Sequence, residues 1–267
     1  MVSHYLARRR ARWRKSLAKR LGPRLAGLLE NSAFFVQSQM DINPKSIWHR
    51  QDFIEATGGY QILGEKSPRT VGRLTPVDTV RRDALVLLLR SIVERDVPGD
   101  MAELGVWKGH TAKLFHDYAP ERTLHLFDTF SGFDAQDVAV EKVATQRDEK
   151  AGLFSDTDVG KVLAFIDSPN DNVHVHPGRF PESFPDELRD QKFAFVNLDV
   201  DLFEPTKAGL ETLFPRLSPG GMMVVHDYNA WQGVRQAVDT FFEARIETPV
   251  PLPDKCGSAV IVKIQVD

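Results

Sequence analysis

The chain has 267 residues and 42% hydrophobic composition, enough for one large α/β domain with additional elements. No apolar run approaches the roughly 20 residues that span a bilayer. A single cysteine, Cys256, excludes an internal disulfide and a cysteine-built zinc cluster, and fits a reducing cytoplasm. The formal net charge of −3 is unevenly spread: nine Arg or Lys and one acid, Glu30, fall in the first 30 residues, leaving an acidic body that disfavours nucleic acid as partner.

Leu6, Trp13, Leu17 and Leu28 recur near helical spacing, so the basic segment 1–30 reads as an amphipathic helix. Three readings of it stay open: packing on the acidic body of its own or a partner chain, contact with an anionic membrane or polymer surface, and a mitochondrial-type targeting peptide. Residues 31–75, broken by Gly58-Gly59 and by Gly64 to Pro68, read as a helical cap or lid. The expected division is therefore 1–75 for tail and cap and 76–267 for the main domain.

From Asp78 to Arg95 a capping acid precedes an apolar stripe of Leu85, Leu88, Leu89 and Ile92, a helix. Strands and helices then alternate: strand 100–105, helix 109–118, strand 123–128, helix 157–167, strand 172–176, a short helix 182–189, strand 193–198, helix 204–216, a turn at Ser218 to Gly221, strand 222–225, helix 233–244 and a last strand 258–264. The run 129–156 is long and polar and reads as a functional or mobile insert. Such alternation specifies a doubly wound, mostly parallel sheet with helices on both faces.

The loop after the first strand reads Glu103-Leu-Gly-Val-Trp-Lys-Gly109, an E-x-G-x-x-x-G pattern. Its glycines allow close backbone approach to a ligand. A phosphate cradle presents bare amides and often a Lys, and a carboxylate beside the first glycine would repel a pyrophosphate. Glu103 suits instead a ligand with positive charge, an ammonium or a sulfonium. S-adenosylmethionine carries both. Asp128, ending the second strand, is placed for ribose hydroxyls.

Two further strand ends carry acids: Val196-Asn-Leu-Asp-Val-Asp201 and Val224-Val-His-Asp-Tyr-Asn229. Asp199 and Asp227 should meet at one mouth of the sheet, with His226 and Asn229 beside them. Meeting carboxylates hold a cation or share a proton, and oxygen donors suit Mg²⁺, Mn²⁺ or Ca²⁺. Asp201 reads as a cap for the helix starting near Phe203. His226 has three open roles: metal ligand, general base, or packing beside the fourth strand. Cys256 reads as a spectator thiol in a loop.

These residues carry a resemblance. Together with Phe127-Asp-Thr-Phe-Ser-Gly-Phe133, Pro177-Gly-Arg-Phe180, Leu198-Asp-Val-Asp-Leu-Phe-Glu-Pro-Thr206, Leu217-Ser-Pro-Gly-Gly221 and Val225-His-Asp-Tyr228, the loop at 103–109 resembles the macrocin O-methyltransferase family, which methylates sugar hydroxyls of antibiotics. The resemblance implies a class I methyltransferase, Rossmann-like fold, S-adenosylmethionine as donor, and a small-molecule sugar or glycoside as acceptor. It implies Glu103, Gly105, Gly109, Thr111, Asp128, Phe130 and Phe180 around the cofactor. It further implies a divalent metal, usually Mg²⁺, at Asp199, His226 and Asp227, and self-association into a homo-oligomer; the mechanism these residues suggest has Asp199 or His226 take the acceptor's proton. This chain departs from the family's Asp-Asp pair at His226-Asp227. A catechol-like acceptor and a non-catalytic cofactor-binding protein docking through its basic tail are the competing readings. A nicotinamide dehydrogenase is disfavoured because G-x-G-x-x-G is missing.

Overall fold

The computed structural model describes residues 78–168, 171–254 and 256–265. The expected basic helix at 1–30 and the cap at 31–75 lie outside the described residues.

In chain order the elements are α1 Thr79–Glu94, β1 Asp100–Leu104, α2 His110–Tyr118, β2 Leu124–Asp128, α3 Ala135–Thr145, α4 Val159–Ile166, β3 Val173–Pro177, β4 Phe193–Leu198, α5 Phe203–Leu213, β5 Leu217–Val225, α6 Gln232–Phe242, β6 Val250–Pro251 and β7 Ala259–Val262. The sheet order is β3-β2-β1-β4-β5-β7-β6. β1 to β5 run parallel, and β7 returns antiparallel to β5. The mostly parallel, doubly wound sheet expected from the alternation is thus present, with an antiparallel edge that the alternation does not announce.

The strands are nearly continuous apolar runs because helices cover both faces. β4 is buried at every position. On one face Leu85, Leu89 and Ile92 of α1 and Phe115 of α2 pack against Met101 and Phe195; on the other, Leu210 and Leu213 of α5 and Val234 and Val238 of α6 pack against Leu104, Leu198 and Val225. The Asp78 carboxylate caps α1 by accepting from the Arg81 amide at 3.0 Å.

Three elements differ from the sequence reading. The insert 129–156 contains α3, capped by Asp134, which accepts from the Gln136 amide at 2.8 Å. Residues 182–189 form only a one-turn 3₁₀ segment at Asp186–Leu188, after Pro185, whose ring removes a backbone donor. Ser218 to Gly221, expected as a turn, begins β5: Gly220 donates to the Lys263 carbonyl and Lys263 to that of Gly221, both at 2.8 Å. None of the described helices is long and apolar enough to cross a membrane.

Register aligns the strand ends. Leu104 pairs with Phe127 on one side and Leu198 on the other, and Leu198 pairs with Val225. The residues that follow, Gly105, Asp128, Asp199 and His226, therefore emerge side by side. They do so where the strand order reverses between β1 and β4, the crevice in which open α/β sheets bind ligands.

Candidate active site

A cavity of about 560 Å³ opens over these strand ends. Its floor is the β1 loop. Gly105 has φ +89° and a side chain there would run into the Asp199 carbonyl, so only glycine lets β1 and β4 close at this point. Gly109, at φ +77°, is the left-handed cap from which α2 starts; it shapes the loop from behind the wall, whereas Thr111 lines the cavity.

Glu103 is 1% exposed. Its Oε1 accepts from Asn197 Nδ2 at 3.0 Å, while its Oε2 and the Asn197 Oδ1 have no partner. Burial first, then the nearby Asp199 charge, pushes the Glu103 carboxyl well above its usual range. A buried carboxylate oxygen without a partner on a cavity wall suits a cationic group of a ligand. Asp128 is held firmly: Oδ2 accepts from the Val106 and Trp107 amides at 2.7 and 2.9 Å, and Oδ1 from the Phe130 amide at 2.7 Å. A carboxylate offers about four lone-pair sites, so about one is left for a ribose hydroxyl. Phe180 reaches the wall but is 4% exposed, edge-on to Phe127 at 5.5 Å. Phe130 contributes its amide to Asp128 while its ring packs against the core, away from the cavity lining.

Opposite stands the cluster expected from the strand-end acids, with an addition. Asp199 Oδ2 accepts from Arg81 Nη2 at 2.7 Å, and Asp199 Oδ1 lies 2.8 Å from His226 Nδ1. The same His226 nitrogen lies 3.1 Å from Asp227 Oδ2. Oxygens of Asp199, Asp201 and Asp227 all lie within 4.8 Å of one another. Burial opposes the charge on Asp199, but the Arg81 and His226 charges outweigh it and hold the carboxyl well below its usual range. Burial likewise opposes charge on His226, and the facing Asp199 overcomes it, raising the imidazole to about 10. Burial and a hydrogen bond to Asp227 push Asp201 up to about 9. At neutral pH Asp201 thus keeps a proton and donates it to Asp227, whose own carboxyl is lowered by His226 and Asp201 despite burial.

Asp201, then, does not cap the following helix. It turns at φ +62° into the cluster, and Glu141 of α3 takes the capping place, its Oε2 accepting from the Phe203 amide at 2.7 Å. Cys256, read as a spectator thiol, lines the cavity, and its Sγ lies within 4.8 Å of ligand atoms of His226 and Asp227. Arg81 is the functional residue that sequence reading misses. It sits beside Arg82 in a polar first turn and looks solvated, yet it reaches 118 residues along the chain to Asp199. The signal that could have found it is the surplus of acids at two strand ends.

A family model described as Macrocin-O-methyltransferase (TylF) matches residues 35–260. The chain belongs to the macrocin O-methyltransferase family. It is 31% identical to the 8-demethyl-8-(2,3-dimethoxy-alpha-L-rhamnosyl)-tetracenomycin-C 4'-O-methyltransferase of Streptomyces olivaceus, over 73% of this chain and 80% of that one. It is 27% identical to the demethyldecarbamoylnovobiocin O-methyltransferase of Streptomyces niveus, over 72% and 78%. In fold it is similar to the solved O-methyltransferase NovP (TM-score 0.59, 20% identity, 80% and 88% covered) and to a calicheamicin methyltransferase (TM-score 0.55, 22% identity, 80% and 90%). This macrocin O-methyltransferase family member is therefore a methyltransferase of the class I fold, with S-adenosylmethionine as methyl donor.

The buried, unpartnered Glu103 Oε2 on the cavity wall fits that donor, whose ammonium would supply the missing hydrogen-bond donor. The donor set at Asp199, His226 and Asp227 does not fit a resident Mg²⁺ in the same way. Asp199, Asp201 and Asp227 converge there, but Arg81 and His226 already engage oxygens such an ion would need, and Mg²⁺ demands near-octahedral oxygen ligands at about 2.0–2.1 Å.

Proposed function

We propose that this family member transfers the sulfonium methyl of S-adenosylmethionine to a hydroxyl of a sugar carried by a glycosylated natural product or polysaccharide. The observation that carries the reading is the placement of the Asp199–His226 pair on the same cavity as Glu103 and Asp128. In this reading donor and acceptor share one cavity. The relatives named above support the acceptor class, since one bears a rhamnosyl substrate in its name and a third, 28% identical, is a mycinamicin III 3''-O-methyltransferase of Micromonospora griseorubida.

In this reading Glu103 takes the donor's ammonium, Asp128 a ribose hydroxyl, and Gly105 lets the donor lie against the strand ends. The acceptor hydroxyl hydrogen-bonds to Asp199. Its oxygen attacks the methyl carbon in line; the C–S bond breaks as the C–O bond forms, and sulfur keeps the electron pair as a thioether. The hydroxyl proton passes to Asp199. A weak base suffices, because an oxygen acquiring a methyl group becomes strongly acidic as the bond forms. His226, already protonated, acts as a donor and orients Asp199 instead of serving as base. Positioning supplies much of the rate. The Mg²⁺ that the resemblance implies takes no step here. The single free thiol, Cys256, fits a reducing cytoplasm.

Incubation with methyl-labelled S-adenosylmethionine and parallel rhamnoside and catechol acceptors tests the proposal by mass spectrometry. Label in the sugar, lost by about 10²–10⁴-fold in Asp199→Asn, is expected. Label only in the catechol would move the acceptor class. Donor binding with no transfer to either, and no effect of Asp199→Asn on any transfer, would return the protein to a binding role.

A further inference from the structure

We infer that this site works without a metal ion, because the chain itself supplies the cationic groups, Arg81 and His226, that hold Asp199 and Asp227 together. The inference deepens the proposed function and rests on it for the identity of the reaction, but its evidence is geometric.

A divalent ion bridging these acids would bond to Asp199 Oδ1 and Asp227 Oδ2. His226 Nδ1 already stands between them, 2.8 Å from one and 3.1 Å from the other. Ring nitrogen and ion compete for the same two oxygens, and the positively charged ring standing between them repels the ion at that range. The other Asp199 oxygen, which would complete a chelate, is held at 2.7 Å by Arg81, a guanidinium that stays charged at every physiological pH. Both cationic side chains are largely buried, with 12% exposure each. The remaining acid, Asp201, is hydrogen-bonded to Asp227. Every acid of the converging set is thus engaged by a side chain from within the protein.

The Arg81–Asp199 contact also explains a placement. Arg81 lies in the first turn of α1, three residues after the capping Asp78, and both residues line the cavity. The start of α1 is fastened to the end of β4 by the ion pair that occupies the would-be ligand. A consequence follows for the acceptor. With no ion to chelate, recognition does not require two neighbouring hydroxyls, and a single hydroxyl at Asp199 is sufficient.

The test reads metal binding directly. Full-length wild-type protein, with S-adenosylhomocysteine binding and circular dichroism confirming its fold, is titrated with Mn²⁺ (followed by electron paramagnetic resonance) and with Zn²⁺, which probes the His226, Asp227 and Cys256 set. Elemental analysis of the untreated protein accompanies it. Expected are no stoichiometric metal, no saturable Mn²⁺ or Zn²⁺ binding, and S-adenosylhomocysteine affinity unchanged by EDTA. In Arg81→Met/His226→Asp, which frees the acids, Mn²⁺ should bind at least roughly 10- to 100-fold more tightly. If the double variant misfolds, His226→Asp alone carries the same expectation with a smaller gain. One ion per wild-type chain, or saturable binding at the acids, would overturn the inference. So would a folded variant that gains no affinity, since Arg81 and His226 would then not be what excludes the ion. Failure to methylate a chosen acceptor would count against the proposed function and leave these readouts unaffected.

Discussion

Replacing Glu103 with Gln separates two effects that most site mutations confound. In the folded protein Glu103 Oε2 is buried without a partner, and so is Asn197 Oδ1 beside it. An amide at 103 keeps the existing bond, since its oxygen still accepts from Asn197 Nδ2, and its new N–H₂ can donate to Asn197 Oδ1. The variant therefore relieves a buried charge and satisfies an orphaned acceptor, an effect on the order of 1–3 kcal/mol. For a domain of this size each kcal/mol raises Tm by roughly 2–4 °C. The sign has a pH window. The Glu103 pKa is raised on folding, so the cost of the charge is absent below about pH 4.5 and grows as pH rises above it. The Tm advantage of Glu103→Gln should appear at pH 7 and close toward pH 4. Donor binding moves oppositely. Losing a charge-assisted hydrogen bond to the ammonium costs about 1.5–3 kcal/mol, a roughly 10- to 150-fold rise in Kd. Calorimetry supplies both numbers, Tm without ligand and Kd for S-adenosylmethionine. A variant with a lower ligand-free Tm, or with Kd within threefold of wild type, would refute the role given to Glu103.

Gly105→Ala should weaken donor binding roughly 5- to 150-fold or prevent folding, because it combines an unfavourable φ, costing about 1–3 kcal/mol, with a collision against the Asp199 carbonyl; calorimetry with circular dichroism checks it. Glu141→Ala removes the side chain that accepts from the Phe203 amide, so thermal unfolding should show a loss of about 1–2 kcal/mol while donor Kd stays within about twofold. His226 keeps its proton up to about pH 10, so kcat/KM should show no inflection near pH 6.5; an inflection there that His226→Gln erases would restore His226 as the general base.

The fold is readable where burial and period agree. β4 is apolar throughout because it is central and covered on both faces, and its expected bounds match those observed. α3 is not readable, because its polarity is inverted. Asp137, Glu141 and Thr145, spaced four apart, point inward, while Val143 is 86% exposed. Asp137 pairs with Arg179 at 2.6 Å, Glu141 holds the start of α5, and Thr145 bonds back to Glu141. A periodicity search for apolar residues passes over a helix whose inward stripe is acid and hydroxyl. β5 hides for another reason: Ser218-Pro-Gly-Gly has turn chemistry, and what makes it strand is pairing with Lys263, more than 40 residues on, which no local window contains.

The strand-end acids show how far charge reasoning reaches. From sequence, Asp199 and Asp227 must meet, and carboxylates that meet must hold a cation or share a proton. Both solutions are used. Asp201 and Asp227 share a proton, and Asp199 is paired with Arg81 and His226. The sequence shows the demand but leaves the source of the cation open, and a metal ion competes on equal terms with a side chain. The histidine at 226, where the resemblance leads one to expect an aspartate, is the one local clue. A histidine placed between two aspartates brings its own N–H to the gap, whereas an aspartate there would add a third negative charge and require an ion. Arg81 acts in the same direction from outside the motif, since a second fixed positive charge beside Asp199 would repel any ion that the histidine had not already displaced.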